Sequence, residues 1–305
     1  MQRFLPEGSL INSKLNQEYL SSIDGLKAAM EDSVILEATA QVCTYSHELI
    51  ISLPCIKAIM PREECAKGIK EGKTKDVAII SRVGKPVCFL VKGFEERDGE
   101  TVAIISRKAA QEMCYNEYIS KLLPGEVIDA KVTHTEQFGC FVDIGCGIPS
   151  MIPIDAISIS RISHPNDRFE IGDNVKVIVK NQDCEKVYIS HKELLGTWSE
   201  NAALFTAGET VNGVVRSVES YGIFVELTPN LAGLAEPKPG VYVGQTASVY
   251  IKSINEEKMK IKLIIVDSYD TSPDKEYQYF IESGVIDYWR YSPIGCKKQI
   301  ETIFE

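Results

Sequence analysis

The stretch Phe138-Gly139-Cys140-Phe141-Val142-Asp143-Ile144 returns 83 residues later as Tyr221-Gly222-Ile223-Phe224-Val225-Glu226-Leu227. Position by position the order is aromatic, glycine, small or apolar, phenylalanine, valine, acid, aliphatic. A repeat of this length built from short apolar runs points to tandem small β domains. The likeness extends outward on both sides. Upstream, Gly125-Glu126-Val127-Ile128 answers Gly208-Glu209-Thr210-Val211, and Ile128, Ala130 and Val132 alternate with Asp129, Lys131 and Thr133. That period of two marks a half-buried strand. Downstream, Gly172 to Val179 answers Gly244 to Ile251, and each copy closes on an apolar run, Lys186 to Ser190 and Lys260 to Ile264. Short strands near Met151-Ile152 and Leu234-Ala235 bring each copy to five. Five short strands with glycine-rich corners fit a closed barrel of the OB type.

A worn copy precedes these two. Its strands are expected at Ala38–Val42, Leu49–Leu53, Gly84–Val91 and Thr101–Ser106, and no Phe-Gly-x-Phe block survives near Glu48. The expected fold is therefore mainly β. It comprises an N-terminal helical segment (1–35), a degenerate barrel (36–110), a helical linker (111–123), a barrel (124–195), a second linker (196–207) and a third barrel (208–267). Residues 14–31 read as one helix with Leu15, Tyr19, Leu20, Ile23, Leu26 and Met30 on a single face. After a linker at Ser268–Ser272, residues 268–305 carry too many aromatics for a disordered tail and read as a small α+β appendage. The second and third barrels differ in one connection: Asp155 to Glu170 forms a long excursion that Pro237-Lys238-Pro239-Gly240 replaces in the later copy.

The net charge of −10 argues against a protein that coats nucleic acid through bulk charge. Any binding of RNA must then rest on stacking and local placement. No apolar run approaches the length of a membrane span, so no membrane association is expected. The start, Met1 to Gly8, has no apolar stretch of a signal peptide. Nine cysteines without a C-x-x-C pair suit a reducing cytoplasm, with the thiols acting as small hydrophobes. Four histidines (47, 134, 164 and 191) stand at no metal-ligand spacing with these cysteines, so neither metal nor cofactor is expected. Lys67 to Thr74 ends like a phosphate-binding loop but lacks its first glycine, and reads as a solvated basic loop. His164 is expected to shape a turn before Pro165, and His134 and His191 to lie solvated at strand ends. No nucleophile–base pairing is visible, and no enzymatic activity is expected.

The Phe138-Gly139-x-Phe141 block, the Gly172-Asp173 turn and Lys186-x-x-Ile189-Ser190 together resemble the S1 RNA-binding domain. His164-Pro165 ahead of Phe169 to Asp173, and Leu195-Gly196-Thr197-Trp198 between repeats, resemble the bacterial ribosomal protein S1 family. The strong likeness covers about residues 122–267, with a weaker one over 36–110. It implies OB barrels that bind single-stranded RNA, such as mRNA, on one face. Its RNA-binding positions fall on Phe138, Phe141, Asp183 and Lys186, and on Tyr221, Phe224, Asn255 and Lys260. The family's histidine after the third strand has no counterpart, since Pro153 and Glu236 stand there. The resemblance also implies that residues 1–110 dock on proteins of the small ribosomal subunit, and that the chain is a cytoplasmic monomer. Two other functions share the domain: a protein-interaction scaffold with weakened RNA binding, and an accessory subunit that presents RNA to a processing assembly.

Single-stranded RNA exposes flat bases, and rings held rigidly on a strand stack on them with little sequence choice. Phe138 and Phe141 lie three apart, so a regular strand would point them to opposite faces. They share a face only if the chain bends between them, which Gly139 permits.

Overall fold

The computed structural model describes residues 4–97, 99–183, 186–271 and 277–305. Cys184 and the end of the linker at Ser272 lie outside them. The chain divides into two units: Met1–Leu122 with Asp129–Lys131 and Asp143–Pro149, and Leu123–Ile128 with Val132–Val142 and Ser150–Glu305.

In the first unit the expected single helix is two, α1 (Lys14–Leu20) and α2 (Ile23–Glu31). Ser22 adopts an extended backbone between them and caps α2, its Oγ accepting from Gly25 N–H at 3.0 Å. The break rotates the apolar stripe, so Leu20 and Leu26 are buried while Leu15 and Ile23 are left exposed. The helices lead into β1 (Leu36–Thr39), β2 (Val42–Cys43), β3 (Leu49–Ser52), β4 (Lys57–Met60), β5 (Pro86–Arg97) and β6 (Glu100–Ser106). These form a six-stranded sheet in the order β1-β5-β6-β4-β3-β2. The sheet is a five-stranded barrel plan with its first strand cut at Ala40-Gln41. Ala40 N–H bonds back to Lys85 O and Gln41 N–H to Ile50 O, so the chain passes there from one neighbour strand to the other. A short helix α3 (Val77–Ile80) precedes β5, and α4 (Arg107–Glu117) follows β6, capped by Ser106.

A buried charge cluster ties this unit together. Glu7 Oε1 lies 2.6 Å from Arg107 Nε, and Glu7 Oε2 lies 3.3 Å from Arg82 Nη1. Burial works to raise the Glu7 carboxyl, but Arg107, Arg82 and the Cys88 N–H together outweigh it and hold the group below its usual range. Glu37 has no such partner among the described residues. Its Oε2 accepts from Gly8 and Leu10 N–H, its Oε1 is unsatisfied, and burial pushes its pKa up to about 7.

The next strands are β7 (Val127–Glu136), β8 (Gly139–Asp143), β9 (Pro149–Pro153), β10 (Asn174–Gln182) and β11 (Val187–Ser190), which close a barrel in the order β10-β11-β9-β8-β7. The third barrel closes as β12-β13-β14-β16-β15, from β12 (Thr210–Glu219), β13 (Gly222–Thr228), β14 (Leu231–Ala235), β15 (Thr246–Asn255) and β16 (Lys260–Tyr269). Closure leaves no unpaired sheet edge. Register shifts at Val179/Asn181, Val215/Ser217 and Ile251/Ser253 are bulges that curl the long strands. Between the barrels, Thr197 and Glu200 form a capping box on α5 (Trp198–Ala202).

The long excursion of the second barrel packs on the third. Arg168 is 5% exposed and donates from both Nη1 and Nη2 to the Glu226 carboxylate, at 2.7 and 2.6 Å, while Arg216 contacts the same carboxylate at 3.0 Å. His164 shapes the turn that presents Arg168: its Nδ1 accepts from Asn166 N–H, and Asp167 Oδ2 accepts from His164 N–H. The C-terminal aromatics form a two-stranded ladder, β17 (Tyr288–Arg290) with β18 (Glu301–Ile303), and no helix occurs among the described residues of 277–305. Trp289, Tyr291 and Phe304 enter the same apolar cluster as the third-barrel core, together with Ile178, Leu194 and Trp198. Burying such a ring contributes on the order of 2–3 kcal/mol, which explains why these side chains do not make a tail.

Candidate nucleic-acid interface

Each repeated block places its two rings at a hairpin. Phe138 lies in the turn between β7 and β8, with Phe141 inside β8. Tyr221 and Phe224 stand likewise at the entry to β13. The bend needed to bring the rings to one side is therefore supplied by the turn, with the glycine opening the next strand. Phe138 and Phe141 meet edge to face with centroids 6.0 Å apart, and Tyr221 and Phe224 do so at 6.3 Å. Phe138 is 57% exposed and Tyr221 66%, while Phe141 and Phe224 are half-buried. The glycines are needed for close approach of the neighbouring strand. A Cβ on Gly139 would stand 2.6 Å from Ile152 O, and one on Gly222 2.8 Å from Ala235 O.

In the third barrel, strand register extends the ring pair into a row. Phe224 pairs with Leu234, Leu234 with Lys262, and Lys262 with Ser253. In the second barrel Met151 pairs with Tyr188 as Leu234 does with Lys262. The outward position level with the platform is thus Tyr188 in one copy and Lys262 in the other. Reading along the chain missed both, because nothing local says which residue of a closing strand lies beside a given residue of another. Tyr188 is 49% exposed, and its hydroxyl donates to Asp183 Oδ2 at 3.0 Å. The Asp183 carboxylate holds this phenol above its usual range. His134 stacks on Phe141 at 6.2 Å and 27° between planes, with Nε2 2.7 Å from Glu136 Oε1.

Asp183 and Asn255 also have a structural task. Asp183 Oδ1 accepts from Lys186 N–H at 3.1 Å, and Asn255 Oδ1 accepts from Lys258 N–H at 2.9 Å. A side-chain oxygen closes each turn, so acid and amide serve alike. Lys186 lies in the β10–β11 turn and Lys260 opens β16; both are exposed. His191, expected at a solvated strand end, is instead fully buried. Its Nδ1 lies 2.8 Å from Ile157 O and its Nε2 3.2 Å from the Tyr279 hydroxyl. A carbonyl can only accept, so Nδ1 carries the proton and the Tyr279 hydroxyl donates to Nε2. Burial lowers its pKa to about 4.

The first barrel has no ring pair at the corresponding place. Its row reads Ile50–Ile59–Ile104–Gly93 by register. Cys140 points inward, is fully buried, and its thiol is pushed up to about 12 by burial. The basic loop folds on itself, with Thr74 Oγ1 donating to Lys67 O and Lys67 Nζ 4.5 Å from the Tyr115 ring centre. Among the described residues no group of His, Cys, Asp or Glu is placed to hold a metal ion, and no helix is long and apolar enough to cross a membrane.

The family description "S1 RNA binding domain" matches residues 121–192. Residues 121–192 are thus similar to an S1 domain. It is 30% identical over 213 residues to the small ribosomal subunit protein bS1 homolog of Bacillus subtilis, covering 64% of this chain and 55% of that protein. It is 35% identical over 173 residues to bS1 of Leuconostoc lactis, covering 53% and 39%. The chain thus spans about half the length of these bS1 relatives or less. A solved multidomain protein with nucleic acid binding domains from Streptococcus pneumoniae aligns at 13% identity over 79% of this chain and 76% of that one, with a TM-score of 0.26.

Proposed function

We propose that this chain is a non-catalytic single-stranded RNA-binding protein that acts in translation with the small ribosomal subunit. The observation that carries this reading is the pair of exposed, edge-to-face ring platforms at equivalent hairpins of two closed barrels. Unpaired bases stack on Phe138 and Phe141 in one barrel and on Tyr221 and Phe224 in the other, each stack contributing on the order of 1–3 kcal/mol. Tyr188 adds a third ring beside the first platform, and Lys262 a cation beside the second. Lys186 and Lys260 meet the flanking phosphates, while Asp183 and Asn255 set the turns from which these lysines reach. The net charge of −10 fits binding led by stacking, with few phosphate contacts. The bS1 relatives support the small ribosomal subunit as the site of action. The N-terminal helices and the first barrel, whose equivalent row is aliphatic, are the parts that contact ribosomal proteins, and the chain works as a cytoplasmic monomer.

The test is binding of labelled single-stranded RNA to the wild type and to Phe138→Ala/Phe141→Ala and Tyr221→Ala/Phe224→Ala. Each double variant should lose affinity by at least about tenfold with its circular dichroism unchanged. Equal affinity in all three proteins removes the platforms from the interface.

A further inference from the structure

The C-terminal segment touches both RNA-binding barrels at places that leave the platforms uncovered. On the second barrel, Val127 N–H donates to Gly284 O at 2.9 Å and Ile286 N–H to Gly125 O at 3.0 Å. The Tyr279 oxygen accepts from Lys176 N–H at 3.0 Å and its hydroxyl meets buried His191. Tyr277 and Tyr279 pack edge-on against the same imidazole, with Phe169 on it as well. On the third barrel, the Tyr291 hydroxyl donates to Asn230 O at 2.5 Å. Cys296 Sγ donates to Glu257 O at 3.0 Å, within the β15–β16 turn between Asn255 and Lys260. Between the barrels, Phe280 N–H donates to Leu194 O and Trp198 N–H to Tyr291 O.

The seat for this segment is written into the barrels. Gly125 has φ of +80°, and a Cβ there would stand 1.9 Å from Ile286 O; a Cβ on Gly196 would stand 2.6 Å from the Phe280 ring. One apolar cluster runs from Ile178 of the second barrel through Trp289 and Tyr291 to Val249 of the third. A segment that only filled a hole in one barrel would not bond to the opening strand of one and the turns of the other.

We propose that residues 277–305 are a positioning strap that fixes the two ring platforms relative to each other, so that both hold one continuous stretch of unpaired RNA. This rests on the RNA-binding reading above. Two stacking sites joined by a loose tether share a low effective concentration; sites held at one spacing convert the second contact into an intramolecular step. The strap is then what sets the length of RNA the protein prefers. Tyr279 and Tyr291 are positioning residues that touch no base.

The experiment uses the full chain and two variants, Tyr279→Ala/Phe280→Ala and a chain ended after Asp270. Each is titrated with an oligouridine of about five nucleotides, which fits one barrel, and one of about twenty, which reaches both. Scanning calorimetry is run in parallel. The wild type should melt its two RNA-binding barrels in one transition and prefer the longer RNA. The variants should split that transition and lose about tenfold or more of affinity for the longer RNA, while binding the shorter within twofold of wild type. If the transition splits and the long-RNA preference is unchanged, the strap does not position the platforms. Equal losses on both RNAs, or a single unsplit transition in both variants, overturn it as well. Should the wild type bind neither RNA, the RNA reading itself has failed; a split transition then still shows the strap joining the barrels. If the truncated chain does not fold, the double substitution decides the matter.

Discussion

The first and third barrels follow one strand plan and put opposite chemistry on the same row. Both bulge at the matching place in their long strand, at Val91/Gly93 and Ile251/Ser253. Across the third barrel the row reads Phe224, Leu234, Lys262, Ser253; across the first it reads Ile50, Ile59, Ile104, Gly93. The interiors are alike in kind, with Leu49, Ile51 and Ala103 in one and Val225, Leu263 and Val249 in the other. A barrel needs only its inward face to be apolar. The row outside that interior carries rings and a cation in the third barrel, and in the first it carries aliphatic side chains, of which Ile59 is buried and Ile50 and Ile104 half-buried. The two units also differ in how their buried charge is held: Glu7 is matched by Arg107 in the first, and Glu226 by Arg168 and Arg216 in the second.

The largest expected effect probes whether stability and RNA binding are separable. Arg107→Ala strands the Glu7 carboxylate in the interior of the first unit and should cost about 3–5 kcal/mol in chemical denaturation. RNA affinity measured below the onset of unfolding should be unchanged. A parallel fall in affinity would break the comparison, because the first unit would then be part of the RNA surface.

Acid should move the two units in opposite directions. His191 is held neutral with a pKa of about 4, below the value near 6.5 of the unfolded chain. Between those values the unfolded state takes up a proton that the folded state refuses. The strap region therefore loses stability as pH falls from about 6.5 to 4, by on the order of 3 kcal/mol at full extent. Glu37 has the reverse sign: its carboxyl protonates near 7 in the fold against 4.5 outside it, so its contribution to the first unit becomes more favourable as pH falls from about 7 to 4.5. Amide hydrogen exchange followed across this range reads both units in one sample. Protection that drops equally in both refutes the assignment.

A smaller effect sharpens the row argument. Phe224→Ala should weaken RNA binding by about 1–3 kcal/mol, whereas Ile50→Ala at the matching place of the first barrel should leave it unchanged. Tyr188→Ala should fall between them, since it removes one ring beside an intact pair. The smallest effect separates charge from stacking. Lys262→Ala should reduce the slope of log affinity against log salt by about one while changing affinity itself only a few-fold, and Tyr188→Ala should leave that slope alone.

Much of the fold was legible along the chain. The repeated block, the period-two strands and the glycines at Gly125, Gly172, Gly208 and Gly244 are local signals, and they located the strands of both closed barrels. The helix over 14–31 failed at Ser22, because a serine can cap a new helix as readily as sit within one, and the choice fell to packing. His191 was misplaced for a related reason: the end of a strand is exposed only if nothing packs on it, and here Tyr277 and Tyr279, almost ninety residues later in the chain, do so. At the candidate site the ring pairs were visible because they repeat. Tyr188 and Lys262 were not, since their role depends on which strand closes against which.

The sequence by itself determined the tandem barrels, the ring pairs and the turn between them, since each rests on periodicity and on residues within a few positions of one another. Only the tertiary structure decided that Tyr188 and Lys262 stand beside the rings, that Arg168 reaches Glu226, and that the C-terminal aromatics join two barrels. Those are contacts between distant parts of the chain. They are fixed by strand register and by the shape of buried surfaces, which alternation along a strand leaves open.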